Sequence, residues 1–158
     1  MKTPSLNLIR QELGNLSQKQ LLDTCLRLAK YKKENKELLG YLLFDAIDEA
    51  AYIKAVKAEI EMHFDDINRS NMFFVRKSLR KIVRTTNKYI KYSGQKTTEV
   101  ELLIFFCAKL KDSKIDFRSV NSLNNLYFNQ LKKIRKTVST LHEDLQFDYQ
   151  QDVEKLLD

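Results

Sequence analysis

Residues 76–92, "RKSLRKIVRTTNKYIKY", place basic and apolar side chains on opposite sides of a helix. At 100° per residue, the seven bases of this stretch fall within an arc of about 140°. Apolar side chains from Met72 to Ile90 fall on the opposite side. The pattern predicts an amphipathic α-helix over 71–92, and Gly94 follows it as the type of residue that commonly ends a helix in a left-handed conformation.

Helix signals of the same kind occur elsewhere in the chain. Ser17 and Gln20 have the spacing of a capping box, in which each side chain bonds the other's backbone N–H. Helical periodicity recurs over 48–68. The segment "TTEVELLIFFCAKLK" is apolar almost all round, which is typical of a central helix, and Thr98 with Glu101 predicts its capped start.

The C-terminal region has an apolar period that extends from Val120 to Leu145. An unbroken helix from there to the end would be about 57 Å long, whereas a compact domain of this size is about 40 Å across. We therefore expect a break near Phe147, with Asp148 and Gln151 capping a short terminal helix. The alternative is a long helix that protrudes and pairs with a second copy of the chain.

The composition supports helices throughout, since three Gly and one Pro in 158 residues are too few for the turns of a β-sandwich. We predict an all-α fold of six or seven helices in antiparallel hairpins, forming a compact helical bundle or a short α-solenoid-like array. Residues 1–158 are expected to form a single all-helical domain. The segment 147–158 is the one that could form a separate short terminal helix.

No motif in the sequence indicates catalysis, a metal site or a cofactor. His63 and His142 lie on different predicted helices, and Gln146 occupies the position where a zincin motif needs its second histidine. "SGQKTT" at 93–98 lacks the first glycine and the preceding strand of a phosphate-binding loop. No G-x-S-x-G pattern occurs. We therefore expect a protein that is not an enzyme and that binds no cofactor or metal.

The cysteines and the apolar runs indicate the cellular compartment of the protein. Cys25 and Cys107 are isolated from each other and lie in apolar stretches, so we expect two buried, reduced thiols. The longest apolar run, 102–108, is far shorter than a membrane-spanning helix. The N-terminal residues do not resemble a secretory signal. These features predict a cytoplasmic protein with no membrane partner.

The helix over 71–92 carries an unusual charge pattern, since no acidic residue occurs between Asp66 and Glu99. Like-charged residues at i,i+4 spacing each cost a few tenths of a kcal/mol, so a compensating partner is expected. A run of charges usually forms only the solvated side of a helix, and that interpretation stays open here. Three candidates for a compensating partner exist beside it: the acidic helix over 48–68, the acidic C-terminal segment of the same or a partner chain, and an external polyanion. The candidate binding residues are Arg76, Lys77, Arg80, Lys81, Arg84, Lys88 and Lys91.

These observations predict a non-catalytic intracellular interaction or scaffold protein that binds an acidic protein partner through this basic helix. The alternative is a sequence-nonspecific RNA- or DNA-binding protein that uses the same residues, for which a formal net charge of +7 is typical. The chain is expected to be a monomer, or a homodimer through its long C-terminal helix.

Overall fold

The computed structural model describes residues 2–157, and this part of the chain is all helical. It contains eight α-helices and one π-helical turn, with no β-strand among the described residues. The all-α prediction is confirmed. The predicted number of six or seven helices is wrong, since the described residues form eight.

The chain divides into two compact units, residues 1–44 and 45–158. The single-domain organisation stays a prediction. The described helices of the first unit are α1 (Leu6–Gly14), α2 (Gln18–Tyr31) and α3 (Lys33–Gly40), followed by the π-helical turn Tyr41–Asp45.

Within the first unit, α2 begins as its sequence predicts and packs against α3. The Ser17 hydroxyl oxygen accepts the backbone N–H of Gln20 at 3.3 Å. In return, the Gln20 Oε1 atom accepts the backbone N–H of Ser17 at 2.8 Å, which completes the capping box. Lys32 alone separates α2 from α3, and its backbone is extended.

The helices of the second unit are α4 (Glu49–Asp65), α5 (Met72–Ser93), α6 (Lys96–Asp112), α7 (Asn121–Val138) and α8 (Glu143–Leu157). Helix α6 is the centre of this unit, because it packs against α4, α5, α7 and α8. Its side chains Leu102, Leu103 and Phe106 are fully buried. The apolar character of α6 on almost every side therefore reflects contact with neighbours on several sides.

Helix α5 agrees closely with the predicted segment. The Asn71 side chain accepts the backbone N–H of Phe73 at 2.8 Å and so caps the first turn. At the other end, Gly94 has φ 67° and its N–H bonds the Ile90 carbonyl at 2.9 Å. This left-handed closure is the one expected of a glycine at a helix end.

The start of α6 differs from the prediction, because the helix begins at Lys96 rather than after Thr98. Thr98 is fully buried within the first turn, and its hydroxyl donates to Glu49 Oε1 at 2.5 Å. The predicted capping box of Thr98 and Glu101 is therefore wrong. The hydroxyl of Thr98 bonds a side chain of α4 instead of the backbone of its own helix.

The C-terminal break lies at residues 139–142, so both the predicted break near Phe147 and the unbroken long helix are wrong. Hydroxyls of Ser139 and Thr140 donate to carbonyls of the last turn of α7, which offers the backbone an alternative to continued helix. The break lets α8 pack on α6 and α7 and bury Leu156. The Tyr127 hydroxyl also donates to the Leu156 carbonyl at 2.6 Å.

Replacing Gly94 by alanine should lower the free energy of unfolding by about 1 kcal/mol, because a side chain at positive φ is strained. Asn tolerates this conformation better, so Gly94→Asn should cost less than Gly94→Ala. Urea unfolding followed by circular dichroism measures both. A Gly94→Ala protein as stable as the original would show that the left-handed closure of α5 is wrong.

Candidate anion-binding face of helix α5

The rotation of α5 about its axis is fixed by one row of side chains in the core. Val75, Leu79, Ile82, Thr86 and Ile90 are buried. The opposite side carries the seven predicted binding residues, which we call the basic face: Arg76, Lys77, Arg80, Lys81, Arg84, Lys88 and Lys91. Five of these are exposed and two, Arg76 and Lys88, are half-buried, so the structure brings all seven together along one helix.

Most of the basic face has no acidic neighbour. Within residues 2–157, six of its seven members form neither an ion pair nor a side-chain hydrogen bond: Arg76, Lys77, Arg80, Lys81, Arg84 and Lys91. The seventh, Lys88, lies over the ring of Tyr89 at 5.1 Å and over that of Tyr92 at 5.8 Å. Its charge interacts favourably with both aromatic faces.

Two acidic residues of α4, Glu59 and Glu61, bind groups outside the basic face. Glu59 accepts a hydrogen bond from the Tyr89 hydroxyl at 2.7 Å. Glu61 of α4 pairs with Lys109 of α6. These carboxylates are directed at α6 and at the tyrosine edge of α5, so they form no direct pairs with the six bases.

Two acidic residues of α6 also bind groups outside the basic face, namely lysines of α4 and α7. Glu101 pairs with Lys57 at 2.8 Å, and Glu99 lies 3.8 Å from Lys133. The Lys133 ammonium also donates to Asn87 Oδ1 of α5 at 2.6 Å. These contacts join α4, α5, α6 and α7 through side chains that do not belong to the basic face.

The acidic C-terminal segment also lies elsewhere. Helix α8 packs against α6 and α7. Its Asp152 pairs with Lys155 at 2.9 Å, and Glu154 accepts a hydrogen bond from Gln150 at 3.0 Å. Among the described residues, neither acidic segment forms direct ion pairs with the six bases.

Part of the basic face surrounds a shallow cavity of about 400 Å³, whose lining includes the aromatic residue Phe73. The basic residues of the lining are Arg76, Lys77, Arg80 and Arg84. Phe73 is 59% exposed. Phe73 was not among the residues predicted from the sequence. Its spacing of 18 residues from Lys91 could have revealed it, because 18 residues make five helical turns and so give Phe73 the same angular position as a base of the basic face.

The histidines form no metal-binding arrangement. His63 lies 3.5 Å from Glu59, and His142 lies 3.3 Å from Asp144. A search of the described residues finds no group of three or more His, Cys, Asp or Glu side chains able to hold a metal ion. None of the helices in 2–157 combines the length and the apolar character needed to cross a bilayer.

The two cysteines have opposite environments, so the prediction of two buried thiols is correct for only one of them. Cys107 is fully buried in α6, and this burial raises the pKa of its thiol to about 12. Cys25 is exposed, and no other side chain of α2 is buried either. The thiol of Cys107 is therefore held in its unreactive protonated form.

Comparison with known proteins gives no relative: no family model, no curated protein and no solved structure matches the chain.

Replacing Arg80 by glutamate should raise the free energy of unfolding by about 1 kcal/mol, because two repulsive i,i+4 pairs become attractive ones. The contrasting variant is Lys57→Glu, which places a second carboxylate beside Glu101 and should lower stability. Chemical denaturation measures both. A loss of stability in Arg80→Glu as large as in Lys57→Glu would reveal an acidic partner for Arg80 within the fold.

At a protein concentration low enough for the chain to be monomeric, one thiol should react rapidly with Ellman's reagent at about pH 8, because only an accessible thiolate is a nucleophile. We assign this reaction to Cys25, and Cys107 should react only after unfolding in denaturant. The variant Cys25→Ser should lose the rapid phase. Rapid release of two equivalents from the folded protein would contradict the burial of Cys107.

Proposed function

We propose that this chain is a non-catalytic interaction protein that binds an acidic protein partner through the basic face of α5 together with Phe73. The observation that carries the proposal is the set of six bases without an acidic partner among the described residues. The alternative of a merely solvated surface leaves the repulsion between neighbouring bases without any offset.

The spacing of the arginines suits a linear row of carboxylates. Arg76, Arg80 and Arg84 follow one another at intervals of four residues, which is about 6 Å along the helix axis. A guanidinium group can bind a carboxylate through two parallel hydrogen bonds, and such charge-assisted bonds are stronger than neutral ones. An acidic segment along α5 would therefore replace several repulsive pairs with attractive ones.

The aromatic residue favours a protein as the partner. Phe73 is exposed among arginines, and Met72 and Phe74 beside it are also exposed. Aromatic and arginine side chains are enriched at the centres of protein interfaces, where a few residues provide most of the binding free energy. Phe73 would take an apolar side chain of the partner while the arginines bind its carboxylates.

The helical arrangement and the cellular location that we propose are those expected from the sequence. The helices act as a bundle that holds α5 rigid, and the protein works in the cytoplasm, where reduced Cys25 and Cys107 are normal.

Nucleic acid is the second candidate, and the position of Phe73 favours it too. Proteins that bind single strands combine aromatic rings, on which bases stack, with cations that contact the phosphates. The cavity bordered by Phe73, Arg76 and Arg80 has both groups. In this case binding would weaken steeply with salt, since each phosphate contact releases a counterion.

The test compares labelled ligands by fluorescence anisotropy at about 50 and 200 mM salt. The ligands are a Glu-rich peptide of about 20 residues with Leu in its centre, and oligonucleotides of equal charge, single- and double-stranded. We expect micromolar binding of the peptide, tighter than that of the oligonucleotides. The double variant Arg80→Glu, Arg84→Glu should weaken it at least tenfold.

The matched control is Lys132→Glu, Lys136→Glu, which makes the same change of charge at exposed positions of α7 and should alter affinity less than about threefold. Phe73→Ala should weaken the peptide with central Leu more than a peptide that lacks Leu. Tighter binding of oligonucleotides, lost in the α5 variant, would establish the second candidate. No binding of any ligand at the lower salt would contradict both.

A further inference from the structure

The first unit has helices but little buried core, since Tyr41 in the π-helical turn is the one buried residue described among residues 2–44. None of the residues of α1, α2 or α3 is buried. Thirteen large hydrophobic side chains between Leu6 and Phe44 are exposed instead. Apolar area left in water forgoes about 25 cal/mol per Å², so helices that display this much of it need a cover.

The exposed apolar side chains of α2 form one face. At 100° per residue, its Leu, Cys and Ala side chains fall within an arc of about 160°, with Cys25 near the centre of that arc. Where α2 packs against α3, a groove of about 290 Å³ lies between them. Its apolar lining is Cys25, Leu28, Ala29, Leu38, Leu39 and Leu42.

The one polar residue of the groove is already bonded within the unit. The Asn35 amide donates to the Leu28 carbonyl at 2.8 Å. No charged side chain belongs to the lining. A ligand that fills the groove therefore has to offer apolar side chains rather than a charge or a hydrogen-bonding group.

We propose that this groove is the interface between two copies of the chain, in which the α2–α3 hairpin of one copy covers that of the other. Two helical hairpins joined in this way form a four-helix arrangement with a closed apolar core. A two-fold pair is the commonest closed assembly, and it requires a surface that is complementary to itself. The groove meets this requirement because exposed leucines border it, and these can fill the groove of the other copy.

The available area is sufficient for a stable pair. A standard interface buries about 800 Å² on each partner. Exposed leucine and aromatic side chains each offer on the order of 100 Å², so about eight of the nine between Leu21 and Phe44 would provide that area. The groove residues Leu28 and Leu42 are each 57% exposed, which leaves ample surface to bury.

Salt should affect this pairing in the opposite direction to anion binding at the basic face. Residues 2–44 contain eight Lys and Arg and four Asp and Glu, so the unit has a net charge of 8 − 4 = +4. Two such units repel each other, and salt screens the repulsion while it leaves the apolar contact intact. Dimerisation should therefore strengthen with salt, whereas anion binding at α5 weakens.

The position of Cys25 offers a direct probe. Cys25 lies close to the middle of α2, which spans Gln18–Tyr31, and on its apolar side. Where two α2 helices cross antiparallel about a two-fold axis, their middles meet, and the two Cys25 residues approach each other. A disulfide needs Cα atoms within about 7 Å, so its formation would locate the axis.

The first experiment measures the mass of the intact chain by sedimentation velocity from about 1 to 100 µM, at low and high salt. We expect a dimer that is favoured by salt, and a monomer for the double variant Leu28→Asp, Leu42→Asp. The control Ile47→Asp changes a side chain that is 93% exposed outside the first unit and should leave the dimer intact. Circular dichroism confirms that each variant remains helical.

A monomer at every concentration, or a dimer that survives Leu28→Asp, Leu42→Asp, would overturn the proposal. Binding of the monomer to vesicles of anionic phospholipid would overturn it as well and assign the groove to lipid. The double variant Arg80→Glu, Arg84→Glu should dimerise normally, so failure of the proposed anion binding and failure of this interface are separate results.

The second experiment oxidises the protein with diamide, which takes two electrons and two protons from a pair of thiols and leaves one S–S bond. We expect a covalent dimer in the original protein and in Cys107→Ser, and none in Cys25→Ser. A sedimenting dimer that gives no covalent product would overturn the antiparallel arrangement about Cys25.

Discussion

Burial of α6 by four other helices is the constraint on which the second unit depends. Each covering helix has to turn its apolar side toward α6, and this requirement fixes where its charged side points. For α5 the buried row from Val75 to Ile90 leaves the bases facing away from the core. For α4 the same requirement brings Lys57 and Glu61 beside charged residues of α6. The basic face is therefore exposed as a consequence of core packing.

Sequence reasoning succeeded where a single helix determines the outcome. The limits of α5, its glycine closure and the grouping of its bases all follow from periodicity and from local backbone chemistry. The capping box of Ser17 is equally local. Such features need no knowledge of the neighbouring helices, so the predicted candidate site could be located along the chain although its ligand could not.

The errors occurred where contacts between helices decide the structure. Thr98 resembles a helix cap in sequence, but its bond to Glu49 depends on the packing of α4 against α6. The break after Val138 depends on the gain from folding α8 back, as in the bond from Tyr127 to the Leu156 carbonyl. An apolar stretch around Cys25 predicts burial, whereas only the folded chain reveals that α2 lacks a cover.

Helix α5 contains neither a carboxyl group nor an imidazole, and this has a consequence for acidic solutions. The charge of α5 therefore stays constant over the pH range in which only carboxyl and imidazole groups titrate. A change in anion affinity on mild acidification then originates mainly in the ligand. Carboxylates lose their charge as pH falls toward about 4, whereas phosphodiesters keep theirs. Acidification alone thus distinguishes the two polyanions, with the protein acting as a fixed array of positive charge.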